Sequence, residues 1–133
     1  MSRKLSDLRP DVRAKCEAML AACDAEGIDL LVTCTFRSHA EQAALYAQGR
    51  TAPGRIVTNA KPGQSKHNHL EGDTPASLAF DVVPLKDGKP VWGTAGLDGQ
   101  VWQRVGAIGK AQGLDWAGDW RTFKEYPHFE VAA

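Results

Sequence analysis

Charge of one sign is what the sequence most plainly lacks. Sixteen basic residues balance sixteen acidic ones, so no electrostatic case exists for a nucleic-acid partner or an anionic membrane surface. Long apolar runs are also missing. No segment approaches the roughly 18 to 20 consecutive apolar residues of a membrane span, and no membrane insertion is expected. Behind Arg3 and Lys4 the first ten residues carry no apolar stretch, so no signal peptide is expected. The chain is expected to be made in the cytoplasm, and action outside would need a separate agent of release. Cysteine is sparse and odd in number: Cys16, Cys23 and Cys34, with no CxxC. That spacing excludes a four-cysteine zinc site, and the three read as small buried hydrophobes. Internal repeats and low-complexity tracts are absent.

What is present fits one domain spanning residues 1–133, with 43% apolar and 24% charged residues. Behind Pro10, residues Val12, Cys16, Met19, Leu20 and Cys23 recur at helical spacing, and Gly27 suits the helix end. Residues 28–35 read as a strand. Ser38 and Glu41 form a capping box that starts a second helix, running to Gly49. Arg37 falls between the strand end and that helix, either facing a cleft or solvated at the surface. Residues 50–75 are rich in Gly, Pro, Asn, Thr and Ser and read as a long loop, with at most a short strand near Ile56 and Val57. An apolar strand over 78–85 encloses Asp81, a carboxylate that needs a partner or a metal if buried. Asp87-Gly88 signals a hairpin, with a return strand over 90–92. Asp98 is expected to cap a third helix ending near Gly113. A turn-rich approach, 114–120, leads to a last strand over 128–131. The fold class is α+β: helices packed on a small, largely antiparallel sheet.

His67, Asp81 and His128 are the candidate metal ligands. Two imidazoles and a carboxylate suit one zinc ion and leave a fourth position for water. Glu125, three residues before His128, is placed to act as general base. Pro127 is expected to hold the chain extended between them. His69 ranks behind the three, as a ligand or as a polar substrate contact. His39 reads as a surface residue.

These pieces form a pattern. Ser65-Lys66-His67, then Ser77-Leu78-Ala79-Phe80-Asp81, then Glu125-Tyr126-Pro127-His128 resemble the metal-binding segments of the LAS-type zinc peptidases. That family includes D-alanyl-D-alanine carboxypeptidases and the L-alanyl-D-glutamate endopeptidases of phage endolysins. Thr35-Phe36-Arg37-Ser38 with Gln42 looks like its arginine segment, and 113–120 like its Gly- and Trp-rich lead-in. The resemblance implies a DD-peptidase/hedgehog-like fold and one Zn2+ held by His67, Asp81 and His128. It implies Glu125 as base and Arg37 as clamp and oxyanion partner. Ser65 and Gln42 would stand behind the site or against substrate, with Trp120 lining the cleft or packing in the core. The implied substrate is the stem peptide of peptidoglycan. The expected setting is a monomeric phage or prophage endolysin, freed by a separate holin-type protein to act at the cell wall. A D-alanyl-D-alanine carboxypeptidase or dipeptidase, and a non-catalytic wall-binding module, are the alternatives. Two departures stand out. His67 and Asp81 are fourteen residues apart where the family has about seven, which implies an insertion within 68–76 and makes Asp73 a rival to Asp81. Ser77 also replaces the family's glycine.

Overall fold

A computed structural model describes residues 1–132; Ala133, the end of the expected domain, lies outside the described residues. Pro10 sits at the first turn of helix α1 (Pro10–Ala25), where its missing N–H is no loss. Val12, Cys16, Met19 and Cys23 form the buried stripe of α1. Gly27, at φ +77°, turns the chain into strand β1 (Asp29–Cys34). Helix α2 (His39–Ala47) starts on the capping box: Ser38 Oγ accepts from the Glu41 N–H at 3.1 Å, and Glu41 Oε1 accepts from the Ser38 N–H at 2.9 Å.

Residues 50–75 are not wholly loop. A small hairpin, β2 (Leu70–Glu71) and β3 (Thr74–Pro75), stands within them. It fills the interval read as an insertion. The expected strand at Ile56 and Val57 is not formed; both residues are exposed, with no ladder partner. Strand β4 (Ala79–Lys86) follows. Asp87 and Gly88, at φ +52° and +75°, make the tight turn to β5 (Lys89–Pro90). Helix α3 (Gly96–Ala111) is entered from Ala95, so Asp98 lies inside its first turn rather than at the cap. There its charge still complements the helix dipole. Residues read as a turn-rich approach include a short edge strand, β6 (Asp115–Trp116), which pairs with the last strand, β7 (His128–Glu130).

The main sheet runs β1-β4-β7-β6, with β5 on the end of β4, and every pairing is antiparallel. Side chains alternate across it. Phe80, Val82 and Phe129 enter a core with α1 and α3, while Asp81 and His128 take the other face. Two glycines let α3 approach closely. A Cβ on Gly106 would lie 2.4 Å from the Trp116 ring, and one on Gly109 would lie 2.4 Å from the Phe129 ring. Among the described residues no helix is long and apolar enough to cross a membrane.

Candidate metal centre and cleft

Sheet register brings the site together. Asp81, on the central strand, is the cross-strand partner of Cys34 on β1 and of His128 on β7. His67 joins them from a 3-10 turn, Lys66–Asn68, whose start is capped by Ser65 Oγ accepting from the His67 N–H at 3.2 Å. His67 and His128 are buried; the Asp81 carboxylate keeps 21% of its side-chain surface open to the cleft.

Each imidazole has one nitrogen already committed. His67 Nδ1 lies 2.8 Å from the Thr35 carbonyl and His128 Nε2 lies 2.8 Å from Glu130 Oε1. Both oxygens only accept, so those nitrogens carry hydrogen. The other nitrogens then face the carboxylate with lone pairs. His67 Nε2 is 3.3 Å from Asp81 Oδ1, His128 Nδ1 is 3.1 Å from the same oxygen, and the two nitrogens are 3.3 Å apart. Three lone pairs at that spacing repel unless a cation sits among them. Ligands of a tetrahedral ion bound at about 2.0–2.1 Å stand roughly 3.3 Å apart, so the donor set fits zinc.

The electrostatics agree. Burial works against a charged His67, but the Asp81 carboxylate outweighs it and lifts the imidazole to about 10. His128 is raised too: burial opposes its charge, and bonds to Asp81 and Glu130 prevail. Asp81 is held far below the usual carboxylate range, because the two imidazoles overcome the burial that would raise it.

Glu125 lines the same cleft, its Oε2 3.8 Å from His128 Nδ1. Burial raises its pKa against the pull of His128. Residues 125–128 are not extended. They form a turn closed by the His128 N–H donating to the Glu125 carbonyl at 3.2 Å, and the Trp116 indole N–H pins it by donating to the Tyr126 carbonyl at 2.8 Å. The correction has a simple cause: Pro127 blocks a helix but leaves a turn open, and these two bonds select it. Trp116 is therefore a core residue, whereas Trp120 lines the cleft with its ring 5.5 Å from that of His128.

Arg37 faces the cleft, with Nη2 4.0 Å from Asp81 Oδ2 and Nη1 donating to Gln42 Oε1 at 2.9 Å. Gln42 is fully buried and also donates to the Ala60 carbonyl at 2.8 Å. It braces Arg37 and the 58–60 segment and does not line the cleft. His69 does not join the cluster. Its ring turns outward to Glu71 Oε1 at 3.1 Å, because the backbone there leaves the 3-10 turn for the β2 strand. Asp73 sits exposed in the turn between β2 and β3.

Two neighbours escaped the sequence reading. Cys34 offers a sulfur that, with atoms of His67 and Asp81, falls within a 4.8 Å group. Its Sγ lies 3.7 Å from His67 Nδ1, on the side of the ring already used by Thr35, so it stands beside the lone-pair set rather than within it. Glu130 is the other. The strand period of two, counted from His128, was the available signal for it. The cleft itself holds about 1090 Å³, and Val57, Asn59, Trp92, Phe123 and Lys124 also line it.

Two family models, both described as D-alanyl-D-alanine carboxypeptidase, match residues 5–88 and 58–131. The peptidoglycan L-alanyl-D-glutamate endopeptidase CwlK of Bacillus subtilis (strain 168) is 42% identical over 132 residues, covering 95% of this chain and 74% of the relative. The L-Ala D-Glu endopeptidase ChiX of Serratia marcescens superposes with a TM-score of 0.64 at 17% identity, covering 96% of this chain and 83% of that one. A vancomycin-resistance D,D-pentapeptidase, VanY, solved with Zn(II), gives 0.62 at 14% identity, with 95% and 73% covered. The two structural likenesses speak for the fold. The chain belongs to the D-alanyl-D-alanine carboxypeptidase family. Within it, the protein is a LAS-type zinc peptidase.

Proposed function

We propose that His67, Asp81 and His128 hold the zinc ion and that the protein hydrolyses an amide bond in the stem peptide of bacterial peptidoglycan, the L-alanyl-D-glutamate bond in particular. The observation that carries the reading is the meeting of three lone-pair atoms at 3.1–3.3 Å on one wall of an open cleft. When bound, zinc supplies Lewis acidity that makes hydroxide available near neutral pH. Glu125 takes the proton of the attacking water and returns it to the leaving amine. Arg37, held by Gln42, presents its guanidinium to the carbonyl oxygen as charge develops there, or to a substrate carboxylate. Ser65 fixes the backbone of His67. Trp120 packs near His128 and borders the substrate.

The choice of bond is supported by the 42% identical relative, named as an L-alanyl-D-glutamate endopeptidase. The description of both family models favours a second reading, removal of a terminal D-alanine. A non-catalytic wall-binding module has no use for a carboxylate placed as Glu125 is. Digestion of purified peptidoglycan followed by mass spectrometry separates these readings. A new D-glutamate N-terminus is the expected product; release of single D-alanine would replace the endopeptidase by a carboxypeptidase, and an unchanged wall would leave the binding module. The proposed setting is a monomeric, single-domain phage or prophage endolysin reaching the wall through a holin-type lesion. Cells making it are expected to stay intact until their membrane is permeabilised, and lysis without permeabilisation would refute that setting.

A further inference from the structure

We infer that Glu130 is a positioning residue for the metal centre, locked by Lys66 so that His128 offers Nδ1, and not Nε2, to zinc. The inference rests on the ligand set proposed above. Glu130 Oε1 accepts from His128 Nε2 at 2.8 Å, and its other oxygen pairs with Lys66 Nζ at 2.7 Å. Lys66 Nζ also donates to the Val131 carbonyl at 2.6 Å and the Ala132 carbonyl at 3.1 Å. Three acceptors at the C-terminal end of the chain, Glu130, Val131 and Ala132, thus fix the lysine. Lys66 directly precedes His67, and Glu130 lies two residues beyond His128 on the same strand face. The two links close a loop: His67 to Lys66 through the backbone, Lys66 to Glu130 through the ion pair, Glu130 to His128 through the imidazole bond. The loop ties the 3-10 turn bearing one ligand to the strand bearing another.

A bare imidazole can present either nitrogen. An anionic acceptor held at Nε2 keeps hydrogen there and the lone pair at Nδ1, and it increases the basicity of the coordinating nitrogen. Glu130 is suited to that task. Its side chain is only 15% exposed and is held by both His128 and Lys66. Lys66 keeps the carboxylate from swinging away when the ring carries a positive ion on its far side. Among the described residues no other carboxylate reaches Nε2; Asp81 and Glu125 both approach His128 on its Nδ1 side.

The test is zinc affinity of the full chain, measured by competition with a chromogenic chelator. Glu130→Ala is expected to bind zinc about 10- to 100-fold more weakly. Glu130→Gln keeps an acceptor for Nε2–H but loses the anion and its Lys66 ion pair, so it should recover only part of the affinity. Lys66→Met should weaken zinc in the same direction but by less. Circular-dichroism melting of each variant checks that the fold persists, and Glu130→Gln, nearly isosteric, carries the test if the alanine variant does not fold. Unchanged zinc affinity in Glu130→Ala would overturn the inference. So would a Glu130→Gln variant weaker than the alanine one, since an acceptor at Nε2 would then be no help. His128→Ala is the control: if it binds zinc normally, the ligand set itself fails, whereas loss in His128→Ala with none in Glu130→Ala rejects the positioning role alone.

Discussion

The two walls of the cleft are built differently. One is sheet: Asp81 and His128 stand on adjacent strands, with core side chains filling the reverse face. The other is loop: Val57, Trp92 and Phe123 stand out from irregular segments, 40%, 59% and 41% exposed. Phe123 even adopts φ +52°, a conformation that costs a bulky residue energy. Ladder hydrogen bonds and packing hold the first wall to the fractions of an ångström that metal ligation needs. The second has few such restraints and large apolar surfaces. On the proposed assignment two of the three ligands, Asp81 and His128, belong to the rigid wall, and substrate selection is expected of the adaptable one.

The sharpest way to break that division is to remove charge from the rigid wall and from Glu125 beside it. Asp81→Ala should lose bound zinc, and all measurable wall hydrolysis with it, as read by metal analysis and a turbidity assay. Glu125→Ala should keep zinc and lose about 10²- to 10⁴-fold in kcat. A nearly native rate would remove Glu125 as the base. Zinc addition to the metal-free protein at pH 7 should also release protons. With His67 lifted to about 10, the imidazole is protonated at that pH, and a zinc ligand must be neutral. The observed heat of binding should then depend on the ionisation enthalpy of the buffer. Stability follows the same sign: the raised imidazole stabilises the metal-free fold below its unfolded value, and that contribution is lost as pH rises through about 10.

The support behind the rigid wall comes next in size. Gly109→Ala would put a methyl group against Phe129, the residue next to His128. Overpacking of this kind costs about 1–3 kcal/mol. The denaturation midpoint should fall, and zinc affinity should fall with it because β7 moves. Lost stability with intact zinc affinity would mean that the ligand wall does not depend on that packing.

On the loop wall the signature should differ. Trp92→Ala and Phe123→Ala each remove an exposed aromatic surface, worth about 0.5–1.5 kcal/mol where substrate covers it. KM should rise by roughly 2- to 10-fold while kcat holds. A fall in kcat with KM unchanged would move these residues into the chemistry and blur the contrast between the walls.

Legibility divides along the same line. Asp81 stands out because a carboxylate inside an apolar strand needs a reason, and Glu125 and His128 because a carboxylate three residues before a histidine can supply a base and a ligand from one short segment. The α1 stripe and the Ser38 capping box were written in local periodicity. What stayed hidden depends on register between distant strands. Cys34 reaches Asp81 across 47 residues of sequence only because β1 pairs with β4 in that register. The two-residue strands β2 and β3 are too short to show alternation, so their Gly, Thr and Pro content read as loop. His69 turns away from the cluster because a 3-10 turn, which no local pattern announces, carries His67. Extension at Pro127 failed because a distant indole, that of Trp116, supplies the bond that favours a turn.

The smallest expected effect tests the insertion. Gly72 has φ +63° and Asp73 has no positive φ, so the two-residue turn joining β2 and β3 has the form that requires glycine first and tolerates most residues second. Asp73 is exposed there, and a Cβ at Gly72 would meet nothing within 4 Å. Asp73→Ala should therefore change stability by less than about 0.5 kcal/mol and leave zinc content alone. Gly72→Ala should cost more, about 1 kcal/mol, from backbone strain alone. Zinc lost from Asp73→Ala but kept in Asp81→Ala would reverse the ligand assignment and place the metal on the loop side. Zinc kept in Asp73→Ala, with hydrolysis of intact wall reduced, would instead make the hairpin part of the substrate-selecting surface.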